Sequence, residues 1–154
     1  METPHKLRTF LVLFLLTVLW LWVGQAKGNC WGGIPIKSYH SERNKNNNEN
    51  NQGLGGECEI NKNFRLKGGF YKNSFHRETV HFGILTTTQI SVKLFQGDLR
   101  PALYLTRASG YTKKNIWGPI PMLMFEHQSG HGLNFATLYY EKEWVFGIEY
   151  KYRF

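Results

Sequence analysis

The sequence predicts an all-β protein, a small antiparallel eight-stranded up-and-down transmembrane β-barrel. Three observations predict this fold class: a strictly alternating segment at the end of the sequence, an apolar segment near its start, and a remaining length that fits eight short strands. With 154 residues, the chain is long enough for one domain with a core of its own and too short for two.

The last segment of the sequence alternates between two kinds of side chain. One parity is wholly apolar or aromatic, in Trp144, Phe146, Ile148, Tyr150, Tyr152 and Phe154. The other parity carries Glu149, Lys151 and Arg153. Since successive side chains of a strand face opposite sides, one face of this strand is apolar and the other is charged. A membrane barrel requires that arrangement; an amphipathic strand of a soluble barrel is the alternative interpretation.

The start of the sequence is typical of a secretory signal peptide. Two basic residues precede an apolar run of 14 residues, Phe10–Val23, and the small residues Gly24 and Ala26 follow it. This run is short for a transmembrane helix. We therefore predict a signal peptide over residues 1–26 and an outer-membrane barrel domain over residues 27–154, with an uncleaved anchor helix as the alternative.

Alternation and turn residues divide the rest of the chain into eight candidate strands. A membrane strand needs roughly 9–11 residues, so the 128 residues after the signal suit the smallest barrel. The connections predicted to face the outside include an asparagine-rich run that ends at Gln52, which we expect to be solvated. The predicted strands are 32–41, 54–60, 64–73, 78–91, 99–109, 118–126, 132–140 and 144–154.

Composition narrows the possible functions. The net charge is +8, but a nucleic-acid partner is not expected for an exported barrel. No phosphate-binding loop or dinucleotide fingerprint is present, and neither a cofactor nor a metal site is expected. Cys30 and Cys58 are the two cysteines. Antiparallel pairing about a loop centred near residue 48 would set Cys58 opposite residue 38, so we predict no disulfide.

Three local patterns follow one another in strand positions. Ile34-Pro35 precedes His40 by a few residues, Tyr71-Lys72-Asn73-Ser74-Phe75 ends the third strand, and Gly118-Pro119-Ile120-Pro121-Met122-Leu123 opens the sixth. Over residues 34–154 the chain thereby resembles the lipid A palmitoyltransferase (PagP) family of eight-stranded outer-membrane barrels. In that family a similar Ile-Pro precedes an essential histidine, and an aromatic-Lys-Asp-Ser-aromatic segment supplies an essential Asp-Ser pair.

The resemblance implies an enzyme that moves an acyl chain from a membrane phospholipid to lipid A. His40 would then be the general base, and Ser74 the nucleophile or an oxyanion donor. Asn73 stands where the family has Asp, and it would donate from its amide or orient His40. Because an amide carries no charge, we expect weaker or altered activity. The chain before the first strand is also too short for the family's N-terminal amphipathic helix, which should weaken membrane seating.

Further residues extend this hypothesis. A proline donates no ladder hydrogen bond, so Pro35, Pro119 and Pro121 are predicted to leave gaps through which lipid tails enter the barrel; the alternative is that they only begin strands.

The basic residues of the predicted outer loops would attract lipopolysaccharide phosphates. These residues are Arg43, Lys45, Lys113 and Lys114. The barrel is expected to be a monomer that requires the outer-membrane assembly machinery of a Gram-negative bacterium.

Two other functions compete with acyl transfer. The first is a non-enzymatic small barrel that serves membrane integrity or adhesion; its interior would be filled with side chains rather than hollow. The second is a lipid A deacylase, because His127, Ser129 and Glu141 resemble the His-x-Ser and Glu spacing of those hydrolases. The predicted topology places His127 and Ser129 at one end of the barrel and Glu141 at the other, which disfavours the deacylase.

Overall fold

A computed structural model describes residues 29–42, 47–111, 115–140 and 142–154 and folds them into one closed antiparallel barrel. The predicted signal peptide and the side chains of Arg43, Lys45, Lys113 and Lys114 lie outside these residues, as does Glu141. In the described part of the chain, no helix is long and apolar enough to cross a membrane.

Eight strands close the barrel, as predicted. The hydrogen-bonded order is β1-β2-β3-β4-β6-β7-β8-β9, and β9 pairs back on β1. Every neighbouring pair is antiparallel, and the strand bounds differ from the predicted ones by only a few residues. The strands are β1 (Cys30–His40), β2 (Gly53–Asn61), β3 (Phe64–Lys72), β4 (Glu78–Thr87), β5 (Val92–Leu94), β6 (Gly97–Ala108), β7 (Ile116–His127), β8 (His131–Tyr140) and β9 (Glu143–Arg153).

The short strand β5 was not predicted. The alternation after residue 78 predicts one strand up to residue 91, but β4 ends at Thr87 and the chain returns through β5 along β6. Phe95 and Gln96, with φ of 46° and 59°, adopt the left-handed conformation that a two-residue hairpin requires. β5 is therefore an additional short strand at one end of the barrel and is not one of the eight strands that close it.

We call the two ends of the barrel the inner rim and the outer rim, according to the side of the membrane that each is predicted to face. The inner rim comprises the turns at residues 62–63, 88–96 and 128–130 together with the end of β9. The outer rim comprises the connections between β1 and β2, β3 and β4, β6 and β7, and β8 and β9.

Apolar side chains cover the outside of the barrel and charged ones fill part of its inside. On β9, Lys151 is 1% exposed while Tyr152 is 47% exposed, which confirms the predicted parity. Every barrel strand contributes to the outer apolar surface, through residues such as Ile34, Leu54, Phe70, Phe82, Leu105, Leu123, Phe135 and Phe146. This distribution reverses that of a water-soluble barrel and is that of a barrel that spans a membrane.

A cluster of ionised side chains fills the inner half of the barrel. The ion cluster comprises Glu57, Arg65, Lys67, Glu126, Glu149 and Lys151. Lys151 Nζ lies 2.6 Å from both Glu57 and Glu126. Three cations and three carboxylates balance within this cluster, and Glu59, which is 26% exposed, also pairs with Arg65 at its edge.

The predicted absence of a disulfide is wrong. Cys30 and Cys58 form a disulfide, and they are directly opposite each other in the β1–β2 ladder. The predicted register assumed a symmetrical hairpin about residue 48. In the structure the paired part of β1 and β2 stops at Gly33 and Gly55, and the connection between the strands is not a continuation of that ladder.

Removing this disulfide should destabilise the barrel. Its two cysteines are 28 positions apart, and closing a loop of that size raises the free energy of the unfolded chain by about 3.5 kcal/mol. We expect Cys30→Ser with Cys58→Ser to lower the free energy of unfolding in detergent by roughly that amount, measured by urea titration of tryptophan fluorescence. An unchanged unfolding midpoint and slope would show that the disulfide does not contribute.

Candidate functional site

The outer half of the barrel encloses a cavity of about 720 Å³ above the ion cluster. Its walls include Ile116, Ile120, Leu138, Val145 and Ile148, and its polar floor includes Lys67, His81 and Tyr104. Aromatic rings cover the outer mouth: Phe75 and Tyr140 each pack edge-on against Tyr111. Burial raises the pKa of the Tyr111 phenol, so this residue is a neutral hydrogen-bonding group. The interior is therefore hollow in one half and packed in the other.

The ladder between β1 and β2 is interrupted beside this cavity. Only four pairs form, from Cys30 opposite Cys58 to Gly33 opposite Gly55, although β1 continues to His40. Pro35, which has no N–H to donate, follows the last pair and lines the cavity.

The same seam closes again near the outer rim. There the Ser38 amide donates to the carbonyl of Glu49 at 2.8 Å. The β1–β2 ladder is therefore interrupted over residues 34–37 of β1, and we call this opening the β1–β2 window.

A second interruption lies between β7 and β8. Their ladder runs from Glu126 opposite Gly132 to Met122 opposite Ala136 and stops there, while β7 extends back to Ile116. Pro121 and Pro119 occupy the part of β7 that has no pairing to β8. The predicted prolines thus mark both places where the sheet is open beside the cavity.

A β-bulge turns His40 towards the interior. Ile34 and Ile36, which have the same parity as His40, are 50% and 49% exposed on the outside of the barrel. The register between β1 and β9 shifts between Pro35 and Lys37, so the parity reverses there. Ser38 and His40 consequently face inwards, and His40 is 8% exposed. A regular strand would have aimed this imidazole at the membrane.

The structure brings His40 and Ser74 together and adds a residue that the sequence analysis missed. His40 Nε2 lies 2.8 Å from Ser74 Oγ. On the other side of the ring, His40 Nδ1 lies 3.4 Å from Glu143 Oε1. The side chains of His40 and Glu143 are only 3% and 2% exposed. A hydroxyl, an imidazole and a carboxylate are therefore aligned in that order.

The sequence did not single out Glu143 as a candidate site residue. A closed barrel pairs its first and last strands, and His40 lies opposite Val145 in that pairing. Residue 143, two positions away, then shares the inward face with His40. Pairing the two strands would therefore have indicated this carboxylate.

Asn73 adjoins Ser74 but is engaged elsewhere. Its Oδ1 accepts from the backbone N–H groups of Phe75 and Arg77, and its Nδ2 donates to Thr79 Oγ1 and the Gly110 carbonyl. These four bonds use the full capacity of an amide. Asn73, which is fully buried, therefore holds the β3–β4 turn and does not orient His40.

The described end of the asparagine-rich run, residues 47–52, packs against this turn. The expectation of a solvated loop is wrong for this part. The Asn48 amide N–H donates to the Ser74 carbonyl at 2.8 Å, and the side chains of Asn48 and Asn51 donate to the carbonyl of Lys72. These contacts fix the backbone on which Ser74 is carried.

A second histidine–serine contact lies at the opposite end of the barrel. His127 Nδ1 is 2.6 Å from Ser129 Oγ, in the exposed turn between β7 and β8. The deacylase hypothesis needs Glu141 as its third member, and Glu141 lies outside the described residues. The ten residues of β8 separate this inner-rim turn from the outer rim.

No protein-family model matches this chain, and no curated protein matches it. Among solved structures, the chain is similar to the crystal structure of Ail, the attachment invasion locus protein of Yersinia pestis, in complex with the heparin analogue sucrose octasulfate, with a TM-score of 0.40 and 14% sequence identity. The match covers 82% of this chain and 99% of that chain. Membership of the lipid A palmitoyltransferase family stays a prediction.

Replacing Asn73 tests whether it belongs to the turn or to the chemistry. Asn73→Asp keeps the two acceptor bonds but removes the two donors, and it sets a carboxylate against the half-buried Gly110 carbonyl. We expect a loss of about 1–3 kcal/mol of stability and no gain in activity. Urea unfolding and lipid analysis measure the two effects. A stable, more active Asp variant would instead restore the role that the family resemblance implies.

Proposed function

We propose that the protein is an outer-membrane acyltransferase that moves an acyl chain from a phospholipid to lipid A. The observation that carries this proposal is the hydrogen bond between His40 and Ser74 at the wall of a hollow, membrane-spanning barrel. An acyl transfer needs a base for the attacking hydroxyl and a place that holds the acyl chain. The imidazole of His40 supplies the first, and the cavity supplies the second.

The cavity suits a lipid chain in size and chemistry. A volume of about 720 Å³ lies within the range of small-molecule sites, and the lining combines aliphatic and aromatic side chains with a few polar groups. Ser38, whose buried hydroxyl lacks a hydrogen-bond partner in the described structure, lines the cavity near His40. It is a suitable donor to an ester carbonyl that develops negative charge.

The open seams give the cavity a route to the bilayer. The aromatic rings of Phe75, Tyr111 and Tyr140 pack on one another at the outer mouth. The unpaired stretches at Pro35 and at Pro119–Pro121 face the membrane at the height of the cavity. A phospholipid tail would enter sideways through such a seam, with its ester left near Ser74.

Positive charge at the outer half supports an anionic lipid acceptor. Arg107 is exposed and lies 5.3 Å from the ring of Trp117 on the outer face of β6 and β7. Lys72 and Arg77, also exposed, flank the turn that carries Ser74. Such charges attract the phosphates of lipopolysaccharide. The predicted loop contacts at Arg43, Lys45, Lys113 and Lys114 would add to them.

The competing function is a non-enzymatic barrel for membrane integrity or adhesion. A structural barrel gains stability when its interior is packed, and the ion cluster packs the inner half in that way. The outer half contains instead a cavity with a histidine, a serine and a carboxylate at its edge. Lipid analysis decides between the two functions.

Expression of the chain should change the lipid A of the host membrane. We expect mass spectrometry to show an added acyl chain on lipid A, together with lysophospholipid. His40→Ala and Ser74→Ala should each lower the yield by about 100-fold or more while the barrel still folds. Ser129→Ala, which alters the exposed pair at the inner rim, is the matched control and should keep full activity. Unaltered lipid A in all strains would favour the non-enzymatic barrel.

An engineered disulfide, or staple, across the β7–β8 seam tests whether a lipid tail enters the cavity sideways. Continuing the register past Met122 and Ala136 sets Pro119 opposite Tyr139, so Pro119→Cys with Tyr139→Cys places a disulfide across the open stretch. We expect acyl transfer to fall at least about tenfold when this staple is oxidised, because the seam can no longer part.

The control staple for this experiment is Leu123→Cys with Phe135→Cys, which joins a pair already in the ladder. Reduction also opens the native disulfide in both variants, so the control reports that effect. Equal rates for the two oxidised variants would exclude this seam as the entrance.

A further inference from the structure

The three polar groups of the site have different access to the cavity. Ser74 lines it, whereas the side chains of His40 and Glu143 are almost fully buried behind Ser74. An ester bound in the cavity therefore meets the Ser74 hydroxyl before either of the other two groups. His40 Nε2 lies 2.8 Å from Ser74 Oγ, close enough to exchange protons with an oxygen bonded to the same carbonyl carbon as Oγ.

The charge of Glu143 favours one tautomer of His40, although no hydrogen bond joins Nδ1 to Oε1. A carboxylate at 3.4 Å favours the tautomer whose proton is on Nδ1. Nε2 then carries the lone pair and accepts the Ser74 hydroxyl proton. The hairpin that pairs Tyr140 with Glu143 fixes the carboxylate, and the bulge in β1 fixes the ring. The bulge in β1 and the hairpin between β8 and β9 thus place His40 and Glu143 in line with the Ser74 hydroxyl.

We propose that Ser74 is a nucleophile that carries the acyl chain as a covalent ester, with His40 as its base and Glu143 as the positioning residue. This inference rests on the proposed acyl transfer and specifies its course, which the family resemblance leaves open between nucleophile and oxyanion donor. The transfer then has two half-reactions, with donor and acceptor bound in turn.

In the first half-reaction, Ser74 Oγ attacks the carbonyl carbon of the donor ester and its proton passes to His40 Nε2. The bond between that carbon and the glycerol oxygen breaks, and the glycerol oxygen takes the proton from His40. In the second, an acceptor hydroxyl gives its proton to His40 and attacks the acyl-serine carbonyl. The bond to Ser74 Oγ breaks, and Oγ recovers the proton, so the site returns to its starting state.

A long-chain alkyl fluorophosphonate tests for an activated serine without needing the lipid reaction. Ser74 Oγ would attack the phosphorus, and fluoride and the hydroxyl proton would leave. With the folded full-length protein in detergent, we expect mass spectrometry to locate the adduct on the peptide that contains Ser74. His40→Ala should slow labelling by about 100-fold or more. Ser129, which contacts His127 in water at the inner rim, is an internal control and should stay unlabelled.

Glu143→Gln distinguishes positioning from simple packing, because glutamine keeps the size of the side chain. Its amide can donate to Nδ1 and so favours the tautomer with the proton on Nε2, which no longer accepts from Ser74. We expect labelling to slow by about 10³-fold or more, while ¹⁵N NMR of the histidines shows the His40 proton moving from Nδ1 to Nε2. Glu78→Gln, at the exposed start of β4, is the control and should change neither readout.

The outcomes separate this inference from the proposed function. Acyl transfer to lipid A in a protein whose Ser74 is never labelled would overturn the acyl-serine and leave the transferase standing. Labelling of Ser74 that depends on His40 and Glu143, without any change in host lipids, would support the activated serine and overturn the lipid A assignment. Equal labelling of the wild type and Glu143→Gln would remove Glu143 from the mechanism.

Discussion

Closure of the backbone hydrogen-bond ladder is the constraint on which the rest of this structure depends. In a bilayer an unpaired N–H or C=O group has no water to bond, so a spanning sheet must close on itself. This barrel closes, but two of its eight seams are paired along only part of their length. Prolines in β1 and β7 mark both interruptions. The unpaired stretches border the cavity, and the fully paired stretches surround the ion cluster.

In the inner half of the barrel, a disulfide and ion pairs join strands whose seams are unpaired in the outer half. Beneath the β1–β2 window, a disulfide joins the first pair of the ladder. Lys151 of β9 bonds to Glu57 of β2 and Glu126 of β7, so one amine ties strands on both sides of the barrel. Removing one partner of such a buried set leaves an uncompensated charge, which is far more costly than the set itself. The ion cluster therefore links the strands of the inner half, whereas the two seams above it stay unpaired over part of their length.

Alternation along the sequence predicted the strands well because a membrane barrel imposes it on every strand. The same rule misplaces His40, since a bulge of one residue reverses the parity and sequence alternation does not reveal a bulge. The disulfide was missed because its prediction depended on where one irregular loop has its centre. Glu143 and Asn73 show a further limit of prediction from sequence. The motif suggested that Asn73 had replaced a carboxylate. The carboxylate beside His40 comes instead from β9, 70 positions after Asn73. Only the closure of the barrel brings the two ends of the chain together.

Two histidine–serine contacts in one small barrel show why a short distance does not identify a catalytic pair. The inner-rim contact of His127 with Ser129 is the shorter of the two, at 2.6 Å, but it lies in an exposed turn where water competes for both groups. The outer contact of His40 with Ser74 is buried on the histidine side, has a carboxylate behind it and opens on a cavity. Because buried charges interact more strongly than solvated ones, the same two side-chain types have different chemical capacity at the two rims. The proposed acyl chemistry therefore depends on the burial of His40 and on the access of Ser74 to the cavity, and the motif around Ser74 supplies only the local part of the site.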